Sequence, residues 1–309
     1  MKRLSLDLEP VPPFRLDLTV WALRRRPDNI VDRWDGETYR RVLVAADGRT
    51  FEVAVTQTGP PDAPRLRVEV RSERASQGLA RQAVQAVERS LGVRARLDDF
   101  YRLAERDAEL GPVARRFRGF KPPRLHSPFE ALANAIVCQQ FTLTMGVRLL
   151  NGLAEAYGPA FEGADGVFHA FPRPRDLAGA DVGDLRRMKL SAQKARSLAG
   201  LARSIVRGDF RPEEIERLDD RDAVERLRGL EGVGRWTAEY ALLRGFGRTH
   251  VFPADDVGAR NNLRRWLGLA GTLSYAAVHE ALEPWRGHGG LVYFHLLLNS
   301  LAEKAVIAA

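Results

Sequence analysis

The sequence predicts an α+β protein, with an antiparallel sheet and its helix at the N-terminus and an all-helical region behind them. Three observations carry this. Apolar and polar residues alternate in short runs separated by turn signals before residue 73. Gln77 to Leu91 then sets Leu79, Ala83, Val84, Val87 and Leu91 on one side of a helix. From Asp98 to the end the apolar spacing is helical, with N-cap signals and short connections.

Taken in order, residues 1–13 read as an unstructured lead-in, with prolines at 10, 12 and 13. Phe14 to Ala22 alternates: Phe14, Leu16, Leu18 and Val20 fall on one side, Arg15, Asp17 and Thr19 on the other, which predicts a half-buried strand. Trp34-Asp35-Gly36-Glu37 marks a turn. Tyr39–Val44 and Phe51–Thr56 read as strands joined by Asp47-Gly48, a strong hairpin signal. Gly59 to Pro64 is a loop, and Leu66, Val68 and Val70 alternate again. The result is a sheet of four or five strands, and with the helix over Gln77–Leu91 it makes an N-terminal domain of residues 1–97.

Residues 98–309 form the helical region. Ser127-Pro128-Phe129-Glu130 is a full start signal, with Ser127 as N-cap, Pro128 in the first turn and Glu130 reaching back from N3. That helix runs to about Ile136. Cys138-Gln139-Gln140-Phe141-Thr142 interrupts the apolar run before a helix from about Thr144 to Tyr157. Leu185 to Val206 has helical spacing, with Ser191 as a cap within it. Lys194 and Arg196 lie there, open to two readings: phosphate contacts or a solvated face. Ser274 caps a short helix to Leu282, stopped by Pro284. Trp285 to Gly290 is a loop, and Leu291 to Val306 is the last helix, carrying Tyr293, Phe294 and His295.

Composition bounds the class. A chain of 309 residues, 45% hydrophobic and 28% charged, suits two or three domains of a soluble protein. No apolar run reaches transmembrane length and the first residues lack a signal-peptide core, so a cytoplasmic location is expected. The single cysteine, Cys138, excludes an intrachain disulfide and a four-cysteine iron–sulfur or zinc site. It sits in an apolar run and reads as a small buried hydrophobe. The formal net charge is +8 and arginine clearly outnumbers lysine, which suits phosphate contacts but is a weak signal alone. There is no phosphate-binding loop motif, dinucleotide glycine signature, metal triad spacing or Ser-His-Asp pattern.

The most informative stretch is Leu227 to Leu267. Leu230-Glu231-Gly232-Val233-Gly234 brackets one apolar residue with two glycines, so the backbone can turn sharply and approach a ligand. A helix from Arg235 to Phe246 follows, ended by Gly245 and Gly247. A Gly-x-Gly turn at a helix N-terminus presents backbone N–H groups at the positive end of the helix dipole, which is an anion site. Val251-Phe252-Pro253-Ala254-Asp255-Asp256 then delivers two adjacent carboxylates to the start of the helix Val257–Leu267. An anion holder beside a carboxylate makes sense where the anion is a nucleic-acid backbone and the carboxylate faces a developing cation. Each feature alone is equally well a plain turn or a helix N-cap.

In this order and spacing the segment resembles the helix-hairpin-helix DNA glycosylases, most closely the 3-methyladenine DNA glycosylase II (AlkA-like) branch. The match runs through Gly232-Val233-Gly234-Arg235-Trp236-Thr237-Ala238 and then Asp255-Asp256. It covers roughly Asp98 to Glu303 with specific motifs and the N-terminal region by general pattern. The resemblance implies a helical core of two subdomains, with the hairpin over 227–247 and the catalytic loop over 251–256. It puts the catalytic carboxylate on Asp256, leaving Asp255 as the cap of the following helix. It implies backbone anchoring of a DNA phosphate at Gly232, Gly234 and Arg235, and a DNA-facing junction at Gln139, Gln140 and Phe141. The side chain that fills the gap left by the extruded base falls on Gln140 or Phe141. Relatives carry an apolar residue at the first of these, so Gln140 is a departure. Base-pocket aromatics fall on Trp236, Tyr240 and Phe294; core packing is the alternative for each. The carbonyls of Arg228, Leu230 and Val233 are implied to hold a monovalent cation, Na+ or K+, with no other cofactor.

The implied activity is excision of alkylated, and by extension deaminated, purines from duplex DNA by a monomeric enzyme, nucleoid-associated through its DNA. The alternatives are an 8-oxoguanine-type glycosylase and a non-catalytic DNA-docking module. Relatives that also nick the strand carry a lysine two residues after the second hairpin glycine. Trp236 stands there, which implies a monofunctional enzyme that leaves an abasic site. A docking module needs the hairpin but no carboxylate, so the Asp255-Asp256 loop argues for catalysis. The N-terminal region is expected to hold none of the chemistry.

Overall fold

The computed structural model describes every residue except 75, 164 and 309. The N-terminal part is β1 (Lys2–Leu8), α1 (Leu16–Arg24), β2 (Arg33–Trp34), β3 (Thr38–Val44), β4 (Thr50–Gln57), β5 (Leu66–Ser72) and α2 (Gln77–Leu91). The strands form one antiparallel sheet in the order β1-β5-β4-β3-β2. Leu4 faces Val70 and Leu6 faces Val68 across β1 and β5, while Val53 faces Val70 across β4 and β5.

Two expectations fail here. The lead-in contains a strand: Leu4, Leu6 and Leu8 alternate with polar residues and pair along the free edge of β5. The run read as a strand is the helix α1. Its alternation misleads because the helix is apolar on both sides. Leu16, Val20 and Leu23 pack into a core shared with the sheet, and Leu18 and Ala22 into a second core of the helical region. A helix buried all round loses the one-sided stripe that identifies it.

The helical region comprises α3 (Asp98–Glu105), α4 (Leu110–Arg116), α5 (Pro128–Cys138) and α6 (Leu143–Tyr157). A two-stranded hairpin, β6 (Ala160–Gly163) and β7 (Gly166–His169), follows where helix alone is expected. It packs against the sheet beside β4. Then come α7 (Pro174–Leu177), α8 (Val182–Arg187), α9 (Ala192–Arg207), α10 (Pro212–Ile215), α11 (Asp220–Arg228), α12 (Arg235–Arg244), α13 (Val257–Trp266), α14 (Tyr275–Ala281) and α15 (Gly289–Glu303). A 3-10 turn over Glu283–Trp285 occupies part of the expected loop. The stretch from Leu185 is broken after α8, and Ser191 caps α9 by accepting from the Lys194 N–H. Among the described residues no helix is long and apolar enough to cross a membrane.

Sheet and helices share buried charge. Arg41 on β3 donates to Asp32 at 2.7 Å and to Glu130 on α5 at 2.6 Å, all three side chains being buried. Glu130 therefore does not reach back to its own N-cap. Ser127 caps α5 as expected, accepting from the Glu130 N–H, and the Glu130 carboxylate turns instead to the sheet. Arg244, at the end of α12, is fully buried and donates to the carbonyls of Ala22 and Leu23 at 2.8 and 3.0 Å. These are free carbonyls at the C-terminus of α1, where a cation is favoured.

Candidate active site

The hairpin between α11 and α12 positions the site. Gly232 has φ 77 and a Cβ there would overlap the Ser197 side chain on α9, so both the turn and the packing require glycine. Gly234 has φ −87 and nothing near its missing Cβ. The positive-φ demand of the turn thus falls on the first glycine and not on the second. Gly234 leaves an open approach to the N-terminus of α12. The Leu230 carbonyl accepts from the Val233 N–H at 3.1 Å, closing the turn. Among the described residues the carbonyls of Arg228 and Val233 accept no hydrogen bond outside regular structure, so they fit a cation-binding role.

Gln139 is tied to this hairpin. Its side-chain N–H groups donate to the Gly232 carbonyl at 2.7 Å and to the Thr237 hydroxyl at 2.9 Å. It holds the hairpin onto the end of α5 instead of facing outward. Lys194 is also turned inward, donating to the carbonyls of Val137, at 3.0 Å, and Gln139. Burial lowers its amine, and its carbonyl partners replace the phosphate role. Arg196 stays exposed near Glu231. Gln140 is exposed at φ 55, and Phe141 is exposed with the Lys194 ammonium over its ring at 3.7 Å. These two form the outward tip of the junction. Cys138 is half-buried rather than fully enclosed.

The carboxylates resolve clearly. Asp256 is the N-cap of α13: one oxygen accepts from the Ala259 N–H at 2.9 Å, the other from Trp236 Nε1 at 3.1 Å. Asp255 does not cap; it takes Arg235 Nε at 2.8 Å. The cap falls one residue later than expected because the loop turns at Pro253, whose carbonyl accepts from the Asp256 N–H at 2.9 Å. Asp256 is half-exposed, and each oxygen, already holding one donor, keeps further acceptor capacity.

Behind the loop stands Glu239 on α12, a residue no sequence signal marked. It is buried, accepts from the Ala254 N–H at 3.2 Å and from the Tyr275 hydroxyl at 2.6 Å. Burial raises its carboxyl above the usual range. The Arg235 guanidinium lies over the Tyr275 ring at 3.7 Å.

Trp236 and Tyr240 lie on one face of α12 with ring centroids 5.6 Å apart. Tyr240 donates to Asn134 Oδ1 at 3.1 Å. Phe294 is not beside them. It is fully buried, packed on Phe120 and under Arg244. One residue earlier on α15, Tyr293 feels the Asp256 charge. Burial pushes its hydroxyl up, and Asp256 pushes it further. A helix turns 100° per residue, so the two neighbours on α15 meet different surroundings, Tyr293 the charge of Asp256 and Phe294 the core. Asn134 and Arg25 also belong to this group, Arg25 Nη2 donating to Asn134 Oδ1 at 2.8 Å. The end of α1 thus brings a residue of the N-terminal part, Arg25, to the edge of this group. An asparagine inside the apolar run of α5 was a readable signal; Arg25, within an Arg-Arg-Arg run, was not. Two surface hollows, of about 150 and 420 Å³, lie elsewhere, on the sheet beside α2 and on α6. The site is marked by its chemistry rather than by its size.

Residues 133–287 match the HhH-GPD superfamily of base excision DNA repair proteins. The chain belongs to that superfamily. It is similar to a DNA-3-methyladenine glycosylase of Bacillus subtilis, 28% identical over 65% of this chain and 66% of that protein. It is also similar to DNA-3-methyladenine glycosylase 1 of Schizosaccharomyces pombe, 33% identical over 52% of this chain and 68% of the other. The match thus spans just under two thirds of the Bacillus protein's length. The solved 3-methyladenine DNA-glycosylase of Archaeoglobus fulgidus superposes with a TM-score of 0.81 at 25% identity, over 98% of this chain and 100% of that one.

Proposed function

We propose that the protein is a monofunctional DNA glycosylase that removes damaged purines, alkylated ones foremost, by hydrolysing the N-glycosidic bond. The observation that carries this reading is Asp256, half-exposed, with Trp236 donating to one oxygen at the position where a strand-nicking enzyme has its lysine. A base in a duplex must be flipped out, at a cost of a few kcal/mol that is smaller for a damaged base. The N–H groups beside Gly234 anchor a flanking phosphate without reading sequence. A monovalent cation on the carbonyls of Arg228, Leu230 and Val233 would add positive charge there. Gln140 and Phe141 enter the space vacated by the base. As the bond breaks, positive charge builds on the sugar. Asp256 stabilises that charge and orients or deprotonates the attacking water. Trp236, Tyr240 and Tyr293 offer aromatic faces to a cationic alkylpurine. The reading takes a monomer acting on duplex DNA in the cytoplasm.

Asp256→Asn should abolish excision while leaving affinity for an abasic-analogue duplex intact or improved, since a charge repelled by phosphate is gone. Strand cleavage by the native protein should require added alkali. An active Asp256→Asn beside a dead Asp255→Asn would refute the carboxylate assignment. A covalent adduct trapped by borohydride would refute the monofunctional one.

A further inference from the structure

Arg25 is a buried cation that the chemistry at Asp256 does not use. It ends α1 with φ 62, in the left-handed region that residues with side chains seldom adopt, and is 7% exposed. Other buried arginines hold two or three acceptors: Arg41 two carboxylates, Arg24 three backbone carbonyls and Arg244 two, although the Nε of Arg41 and of Arg244 is also without a partner among the described residues. Arg25, among the described residues, has one acceptor, Asn134 Oδ1, and its Nε has none. A buried charge so thinly satisfied is costly unless something else completes it.

What could complete it follows from the neighbours. Contacts run from Asp256 through Trp236 and Tyr240 to Asn134 and Arg25. The guanidinium lies 6.0 Å from the Tyr240 ring centroid. Because Asn134 Oδ1 accepts from both Tyr240 and Arg25, the amide is oriented with its Nδ2 donors unused among the described residues. Asp256 thus marks the sugar end of the aromatic wall, and at the far end Arg25 and Asn134 Nδ2 present donors. Purines carrying a 6-oxo group offer two adjacent acceptors on one edge, O6 and N7, which an arginine fork matches. Adenine-type bases present a donor there.

The charge balance points the same way. When the glycosidic bond breaks, both electrons go to N9 of the base and water adds at the sugar carbon; its proton passes to Asp256 and solvent when the base was cationic, and ends on the departing base when the base was neutral. A cationic alkylpurine leaves neutral. A neutral lesion such as hypoxanthine leaves with negative charge spread toward O6 and N7, and needs a cation at that edge. We propose that Arg25, with Asn134 Nδ2, is the specificity-determining element that adds neutral 6-oxopurines to the substrates, holding their acceptor edge, while cationic alkylpurines rely on the aromatic faces. This rests on the glycosylase reading above.

The test is single-turnover excision by wild type, Arg25→Gln and Arg25→Lys on duplexes containing hypoxanthine or 7-methylguanine. Affinity for an abasic-analogue duplex and thermal melting accompany it. Arg25→Gln should lose about 10–100-fold on hypoxanthine, the worth of a bidentate contact, with 7-methylguanine excision and abasic-analogue affinity unchanged. Arg25→Lys, with charge but no fork, should fall between. Equal loss on both bases overturns the proposal, as does a wild type that excises 7-methylguanine but not hypoxanthine. Should Arg25→Gln not fold, an unaltered ratio of the two bases in Arg25→Lys overturns it. A wild type that excises neither base defeats the glycosylase reading itself.

Discussion

The two hairpin glycines look alike in sequence and do different jobs. Gly232 is held by geometry: φ 77 and the Ser197 side chain both forbid a Cβ. Gly234 is ordinary in φ, and its side-chain direction is empty. Gly232→Ala should therefore destabilise the fold by ~1–3 kcal/mol, through strain and overpacking together. Gly234→Leu should leave the melting temperature alone and weaken binding to all duplexes alike, because the bulk blocks phosphate from the N–H groups. Melting curves and titrations against an abasic-analogue duplex at several salt concentrations separate the two. Unchanged affinity in Gly234→Leu would place the hairpin outside the DNA interface. At this scale the sequence shows which residue types matter and hides their orientation. Asp255 and Asp256 are equivalent as letters, and only the turn at Pro253 decides which one caps α13. Phe294 and Tyr293 are distinguished only by helical phase.

Elements are readable where they keep one wet face. α2, with one apolar side, agrees with its expected bounds at both ends, as the β3–β4 hairpin does within a residue or so. α1 is not readable, because two cores claim its two sides. Nor is the loop before α13, whose shape depends on a side chain from another element. Glu239 on α12 fixes Ala254, two residues before Asp256, and is itself held by Tyr275 on α14. Glu239→Ala should release the loop and let the Asp256 carboxylate wander. A misplacement of about 1 Å can cost on the order of 100-fold in rate. Single-turnover excision should fall accordingly, while abasic-analogue affinity holds, since the hairpin contacts DNA by backbone. If affinity and rate fell together, Glu239 would be supporting the fold at large and not the loop.

At the scale of the whole molecule, the sheet and the helices divide in sequence near residue 97 but not in packing. α1 lies between the two cores. Arg244, at the end of the helix that carries Trp236 and Tyr240, has its two Nη donors on α1 carbonyls. Glu130, on the helix that carries Asn134, is paired with Arg41 of the sheet. Removing one member of a buried charge pair costs about 3–5 kcal/mol. Residues 98–309 alone would carry both losses and expose the apolar faces that α1 and the sheet cover. Whole-domain stability is typically only about 5–15 kcal/mol. The 98–309 fragment should therefore fail to fold cooperatively, although it contains the hairpin, Asp256 and both stacked aromatics. Circular dichroism melting and gel filtration of the fragment beside the full chain decide this. A compact fragment with a sharp transition would show that the N-terminal part is an appendage. If that fragment also excised hypoxanthine at the full-length rate, it would further remove Arg25 from the site, since the fragment lacks it.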